Sequence, residues 1–448
     1  MLKKIKNYGL ILIFGLALGL GLITTPARAV LQLDITKGVT KPMAMAILPL
    51  VGSNGPEADA AAIISEVIVS DLTNCGLFRA IDKNAFIQSA KELGTNPRFA
   101  DWQAIGAEAL VAGKVLLVGN RLTVEFRLWD VLGKQVIEGQ VINGSQESAR
   151  RIGHKISDFI YSRITGDRGY FDSQIVFVRE SGPFNKRIKQ IAIMDQDGAN
   201  PKVLSDPRVL TLTPRFSINN RVITYMSYYN NRPRVYIFDL QTGEQTAVGD
   251  FPGMTFAPRF SPTGNQVIMS LATDGHSDIY SLDLKSREVR RIPRNSSGAI
   301  DTSPSYAPDG ARIVFNSDRG GTQQLYTMNS DGSNVRRISF GQGIYATPVW
   351  SPRGDLIAFT KIHAGRFHIG VMRPDGSGER LLTDAFLDEG PSWSPNGRVL
   401  VFFRQTPSDN SDRAATSKLM SVDITGTVVR EYKLPFDASD PAWSPLLP

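Results

Sequence analysis

Cysteine is almost missing from this chain: Cys75 is the only one in 448 residues. A disulfide framework is thereby excluded, and Cys75, at the end of an apolar helical pattern just before Gly76, reads as a buried structural thiol. Histidine is nearly as scarce, with four in all. His154, His276, His363 and His368 are scattered; His363 and His368 flank one turn but lack a third ligand, which falls short of a metal centre. No Gly-x-Ser-x-Gly pentapeptide occurs, so the nucleophile elbow of an α/β-hydrolase has no candidate. The sequence calls for no cofactor, and no residue pattern supports a cation on the molecule's axis. The Asp195–Gly198 stretch, DQDG, opens like a calcium loop but has no downstream bidentate Glu, and reads as a hairpin turn.

Long hydrophobic runs are confined to the start. Lys3, Lys4 and Lys6 precede an apolar stretch, Tyr8–Ile23, of about 16 residues, against about 20 needed to span a bilayer. Ala27-Arg28-Ala29 follows, with the small residues a signal peptidase reads. The expectation is a leader over 1–29, cleaved between Ala29 and Val30, and an exported chain. Lys3, Lys4, Lys6 and Arg28 supply four of the positive charges and no acidic residue precedes Val30, so the formal net charge of +7 falls to +3 without them. So small a surplus argues against nucleic acid or a polybasic membrane contact. Arg290-Arg291 and Arg336-Arg337 are expected on solvated outer strands, where charge discourages edge pairing.

What is abundant is a repeated phrase. Prolines at 214, 258, 304, 348, 391 and 441 are spaced by 44, 46, 44, 43 and 50 residues. An aromatic stands two places after each: Phe216, Phe260, Tyr306, Trp350, Trp393, Trp443. Ser-Pro follows in most copies, and Gly264, Gly310, Gly354 and Gly397 come two residues later. A period near 44 fits propeller blades or helix pairs. The segments between the prolines are short, β-rich and punctuated by turns such as Asp331-Gly332 and Asp375-Gly376. Helical arrays are therefore excluded, and each repeat is a four-stranded meander with the proline phrase as its innermost strand. The strands in Gln174–Ser205 have no phrase before them, and the phrase at Asp440–Pro445 has no strands after it. Each completes the other. The fold expected is all-β over 169–448: a six-bladed β-propeller closed by its C-terminal strand.

Residues 41–168 read as a small α/β domain. Ala44–Leu50 is an expected strand, and Asp59–Thr73 a helix with Ile64, Val67, Ile68 and Leu72 on one face. Ala100–Leu110 is read as a second helix, Arg121–Asp130 and Gln135–Asn143 as a hairpin, and Gln146–Thr165 as a helix striped by Ile152, Ile156 and Ile160. Between leader and domain, residues 30–40 include the alternating run VLQLDIT, which equally fits an edge strand.

These features resemble the TolB family of the Tol–Pal system over essentially the whole chain. The likeness is most specific at FNSDRGGTQQLY (Phe315–Tyr326), FLDEGPSWSPNG (Phe386–Gly397) and the closing PAWSP (Pro441–Pro445). Departures touch turn chemistry: Ile218-Asn219-Asn220 stands for Pro-Asp-Gly, and Thr263, Arg353 and Asn396 replace the Asp. The resemblance implies a non-enzymatic periplasmic adaptor that links the outer-membrane lipoprotein Pal with TolA and supports outer-membrane integrity and constriction at division. It implies Pal contacts at the propeller mouth, where links between blades reach the axis: Met254, Phe256, Ala257, Asp301, Thr302, Ser303, Tyr345, Thr347 and Glu389. TolA is implied at the N-terminal segment, on Val30, Leu31, Leu33 and Ile35. The rival reading is a secreted propeller hydrolase or glycan-binding protein using Asp301, Asp388 and Glu389 as mouth carboxylates.

Overall fold

The computed structural model describes residues 41–448 apart from 54, 95, 184–185, 230–232, 249–253, 274, 294–297 and 408–414. The expected leader with its Ala29 site, and the segment carrying Val30, Leu31, Leu33 and Ile35, lie outside the described residues.

The N-terminal domain is one five-stranded sheet, in the order Phe78–Ala80, Met43–Ile47, Ala109–Val118, Arg121–Asp130, Gln135–Ser145. Met43–Ile47 is buried along its whole length and pairs in parallel on both sides, as an unbroken apolar strand should. The helices Gly55–Asn74 and Ala149–Thr165 cover one face, burying Ile64, Ile68, Ile152, Ile156 and Ile160. Trp102, with Leu93 and Ile81, fills the other face. The helix expected over Ala100–Leu110 is only Phe99–Ala104. Gly106 turns left-handed at φ +76°, and Ala109–Val118 becomes a ten-residue strand. Leu110 and Val111 thus face opposite cores of one sheet rather than one side of a helix.

Six four-stranded sheets follow. In each the proline phrase is the innermost strand: Thr211–Phe216, Met254–Phe260, Asp301–Tyr306, Ile344–Trp350, Leu387–Trp393 and Asp437–Trp443. The last of these pairs with Gln174–Ser181, so the chain's C-terminal strand completes the first blade and closes the ring. Trp443 is buried there, its indole donating to Ser173 Oγ at 2.8 Å. Four of the six turns leaving the inner strands share one device. The Ser after the aromatic accepts a backbone N–H from the start of the second strand, as Ser394 does from Val399 at 3.0 Å and Ser444 from Gln174 at 2.9 Å. The glycine that follows is left-handed, as at Gly310 with φ +72°. In the divergent copy Asn220 takes that conformation at φ +57°, which Asn tolerates better than most residues. Arg290 and Arg291 lie on an exposed outermost strand, as the charge pattern requires.

One core runs through both parts. Tyr161 of the domain's last helix packs edge-on against Tyr170 and Phe171, and Tyr170 against Trp443 at 5.7 Å. Cys75 is buried in the same core, and burial pushes its thiol up to about 12. Polar contacts frame this seam. Arg150 reaches Asp195 and Asp197 in the first blade's turn, at 3.1 and 2.5 Å. Asp158 accepts from the Phe171 and Asp172 amides at 2.7 and 3.0 Å, and Arg398 binds Asp167.

Candidate functional site: the mouth of the propeller

An inner strand must carry its chain from the blade rim to the axis and then along it. Each does so with a β-bulge: the register slips between Phe256 and Arg259, Thr302 and Ser305, Ala346 and Val349, and Glu389 and Ser392. The residue before the proline absorbs the slip in left-handed backbone: Thr213, Ala257, Ser303, Thr347 and Asp440 at φ between +46° and +53°, and Gly390 at φ +70°. Five of these six lack glycine's freedom, although a left-handed L-residue costs about 1–2 kcal/mol and a following proline disfavours helical torsions further. Strain of this kind persists only where the surroundings over-determine it, and it clusters at functional sites.

The bulges sit at the channel end where the blade-to-blade links arrive. Met254, Ala257, Thr302, Ser303 and Thr347, expected on loops, lie within the inner strands themselves. Phe256, Ala257, Thr302, Ser303, Thr347 and Glu389 are each partly exposed. The Thr302 hydroxyl accepts from Asn316 at 2.7 Å, and Thr347 pairs with Thr360 at 2.8 Å. The wall is therefore fixed, not adjustable. Tyr345 is placed elsewhere: it is fully buried, and its hydroxyl donates to the Glu379 carboxylate at 2.8 Å. Asp301 is buried too and paired with Arg319 at 2.8 Å.

The carboxylates of the hydrolase reading are largely spent. Asp388 is fully buried and held by Arg404 through two bonds of 2.7 Å. Glu389 alone of the three has no cationic partner among the described residues; burial, and then Asp440, hold its carboxyl above the usual range. Asp440, on the closing strand, was not singled out by sequence reasoning. Its position one before a blade proline was the available signal. Among the residues away from the mouth, His154, Asp195 and Asp197 could in principle face one cation, but Arg150 already occupies both carboxylates. Among the described residues His363 and His368 join no three-ligand cluster; His368 Nδ1 meets the Thr383 carbonyl at 2.8 Å, with Asp384 at 4.0 Å.

A ring of left-handed inner-strand bulges around a shared concavity, with Asp301 and Asp388 held in ion pairs and Glu389 unpaired among the described residues, marks a six-bladed β-propeller joined to an α/β domain. The comparisons agree. Residues 161–447 match the TolB beta propeller domain and residues 31–137 the TolB amino-terminal domain. The Tol-Pal system protein TolB of Paramagnetospirillum magneticum is 53% identical over 448 residues, covering 100% of this chain and 99% of its own. That of Gluconobacter oxydans is 52% identical over 382 residues, or 85% of this chain and 83% of its own. The crystal structure of TolB from Acinetobacter baumannii superposes with a TM-score of 0.79 at 29% identity, covering 92% of this chain and 99% of that one. The chain belongs to the TolB family of Tol-Pal system proteins.

Proposed function

We propose that this protein is a non-enzymatic periplasmic adaptor of the Tol–Pal system, which receives the lipoprotein Pal at the propeller mouth. The observation that carries the reading is the ring of left-handed bulges at Thr213, Ala257, Ser303, Thr347, Gly390 and Asp440. It holds backbone and short side chains rigidly around one opening, which suits insertion of a partner's loop. The contact set is Met254, Phe256, Ala257, Thr302, Ser303, Thr347 and Glu389; Tyr345 and Asp301 support it from within the blades. TolA is assigned to Val30, Leu31, Leu33 and Ile35, by addition of that alternating segment to a strand edge. Joining the two partners would serve outer-membrane integrity and constriction at division. An exported location follows from the leader expected over 1–29, and no helix among the described residues is long and apolar enough to cross a membrane.

The test is calorimetry with purified Pal. Ala257→Arg and Thr302→Arg place a long charged side chain in the opening. Each should weaken binding by several kcal/mol if the contact is central, with the melting temperature nearly unchanged. Parent-like affinity in both variants would move the Pal site to another face.

A further inference from the structure

The channel has a second end, and its chemistry is the reverse of the mouth's. Where the inner strands run out into the Ser-Pro turns, a cavity of about 590 Å³ opens. Its walls are built by the residue after each blade proline. In four blades these are Ser305, Val349, Ser392 and Ala442; in the two neighbouring ones they are Arg215 and Arg259. Arg168, from the link between the domains, lines the same cavity. Blade packing does not demand arginine here, since serine, valine and alanine serve the equivalent strands.

Neither channel arginine forms an ion pair among the described residues. Arg215 donates to the Pro214 carbonyl at 2.6 Å. Arg259 Nε is shielded from solvent and has no acceptor. Burial pushes both guanidinium groups below their usual range; the Asp440 carboxylate partly offsets this for Arg215, while Arg215 pushes Arg259 down further. Two like charges at close quarters in a partly desolvated channel, with Asp440 acting on Arg215 alone and neither arginine in an ion pair among the described residues, are costly. The guanidinium fork matches the paired oxygens of carboxylates and phosphates. The hydroxyls alongside are poised to add to this. Ser305 Oγ accepts the Trp350 amide at 3.3 Å and Ser392 Oγ accepts the Trp443 amide at 3.1 Å, so each keeps its own proton to donate.

We propose that this end of the channel binds an oxyanion, the carboxylate or phosphate group of a small molecule, clamped between Arg215 and Arg259 with Arg168 at the entrance. Glu389 and Asp440 lie towards the mouth, Asp440 within electrostatic reach of both Glu389 and Arg215, so an anion is favoured on the turn face and leaves the mouth free. The inference is independent of the Pal reading, which concerns that other end.

The probes are inorganic phosphate and benzoate, with sodium chloride at matched ionic strength as control, on the chain from Val30 onward. At least one probe should raise the melting temperature saturably beyond the chloride control and give a calorimetric binding isotherm. Phosphate alone, or benzoate alone, would support the site and name its oxyanion. Arg215→Met and Arg259→Met should each weaken that affinity by about tenfold or more. Arg259→Ser, which installs the residue found in two other blades, repeats the test with a side chain the strand already accommodates, and a cooperative melt verifies each fold. The proposal is overturned if neither probe exceeds the chloride control, or if the Arg215→Met/Arg259→Met double variant responds as the parent does.

Discussion

Ser303 occupies left-handed backbone at φ +52° and makes no side-chain hydrogen bond among those described. Replacing it by Gly removes the Cβ clash, about 1–2 kcal/mol, against an entropic cost of about 0.5–1 kcal/mol for glycine. Ser303→Gly should therefore raise the urea-unfolding free energy by about 0.5–1 kcal/mol. Thr347→Gly should gain less, because it forfeits the contact with Thr360. A fall in stability for Ser303→Gly would show that the bulge carries no strain. Tyr345 gives a complementary expectation. Tyr345→Phe deletes the bonds to Glu379 and should cost about 1 kcal/mol, seen as a lower melting temperature, while Pal affinity stays at the parent value. Loss of affinity with an unchanged melt would return Tyr345 to the mouth. The burial of Tyr345 was illegible in the sequence for a definite reason. Alternation along a strand assigns faces only while the period of two is kept, and the bulge before Pro348 breaks it. The residues at the bulge, Thr, Ala, Ser, Thr, Gly and Asp, share no chemistry that advertises a positive φ.

At the scale of elements, the proline phrase was legible because its information is local: a kinked entry, a wedge aromatic, a serine that caps the turn and a glycine or asparagine that makes it. Blade number and closure follow from counting those phrases. Ala109–Val118 was not legible, since its first four residues are buried on both faces and show no alternation; a short apolar run of that kind reads as helix or strand equally well. Closure has a direct test. Deleting Asp440–Pro448 removes most of the first blade's inner strand and the Trp443 side chain, whose loss alone is worth about 3–5 kcal/mol. Circular dichroism should show a transition at much lower temperature, or none. An unchanged transition would mean that the ring holds without its last strand.

For the whole molecule the decisive feature is the seam between domain and propeller, where His154 is buried with Nδ1 2.8 Å from Asp71. Gln196 of the first blade donates to the other Asp71 oxygen at 2.8 Å. Burial alone would lower the imidazole's pKa, but the Asp71 carboxylate and, beyond it, Asp197 and Asp195 outweigh burial and raise it. Burial also pushes the Asp71 carboxyl up, which would neutralise the pair; with Gln196 donating to Asp71 and further carboxylates near the ring, the ionic form prevails. Among the described residues Arg150 stands beside the group, held by Asp195 and Asp197, and Arg430 reaches the Asp197 carbonyl. A raised folded-state pKa adds stability that is complete below the unfolded value, about 6.5, and is lost as pH rises through the folded value. The melting-temperature gap between the parent and His154→Gln should therefore shrink as pH rises above about 6.5. A gap independent of pH would assign His154 a packing role only.

The strand that closes the first blade meets a partner far back along the chain: the Gln174 amide binds Ser444, 270 residues later. Synthesis proceeds from the other end, so Gln174–Ser181 emerges long before its inner neighbour exists. Contacts of such sequence separation form late and slowly, and an early strand with an open edge is exposed to wrong pairing meanwhile. The ring is thus assembled only after the whole polypeptide has been made, and for the exported location proposed above the topology itself enforces the delay that transport needs.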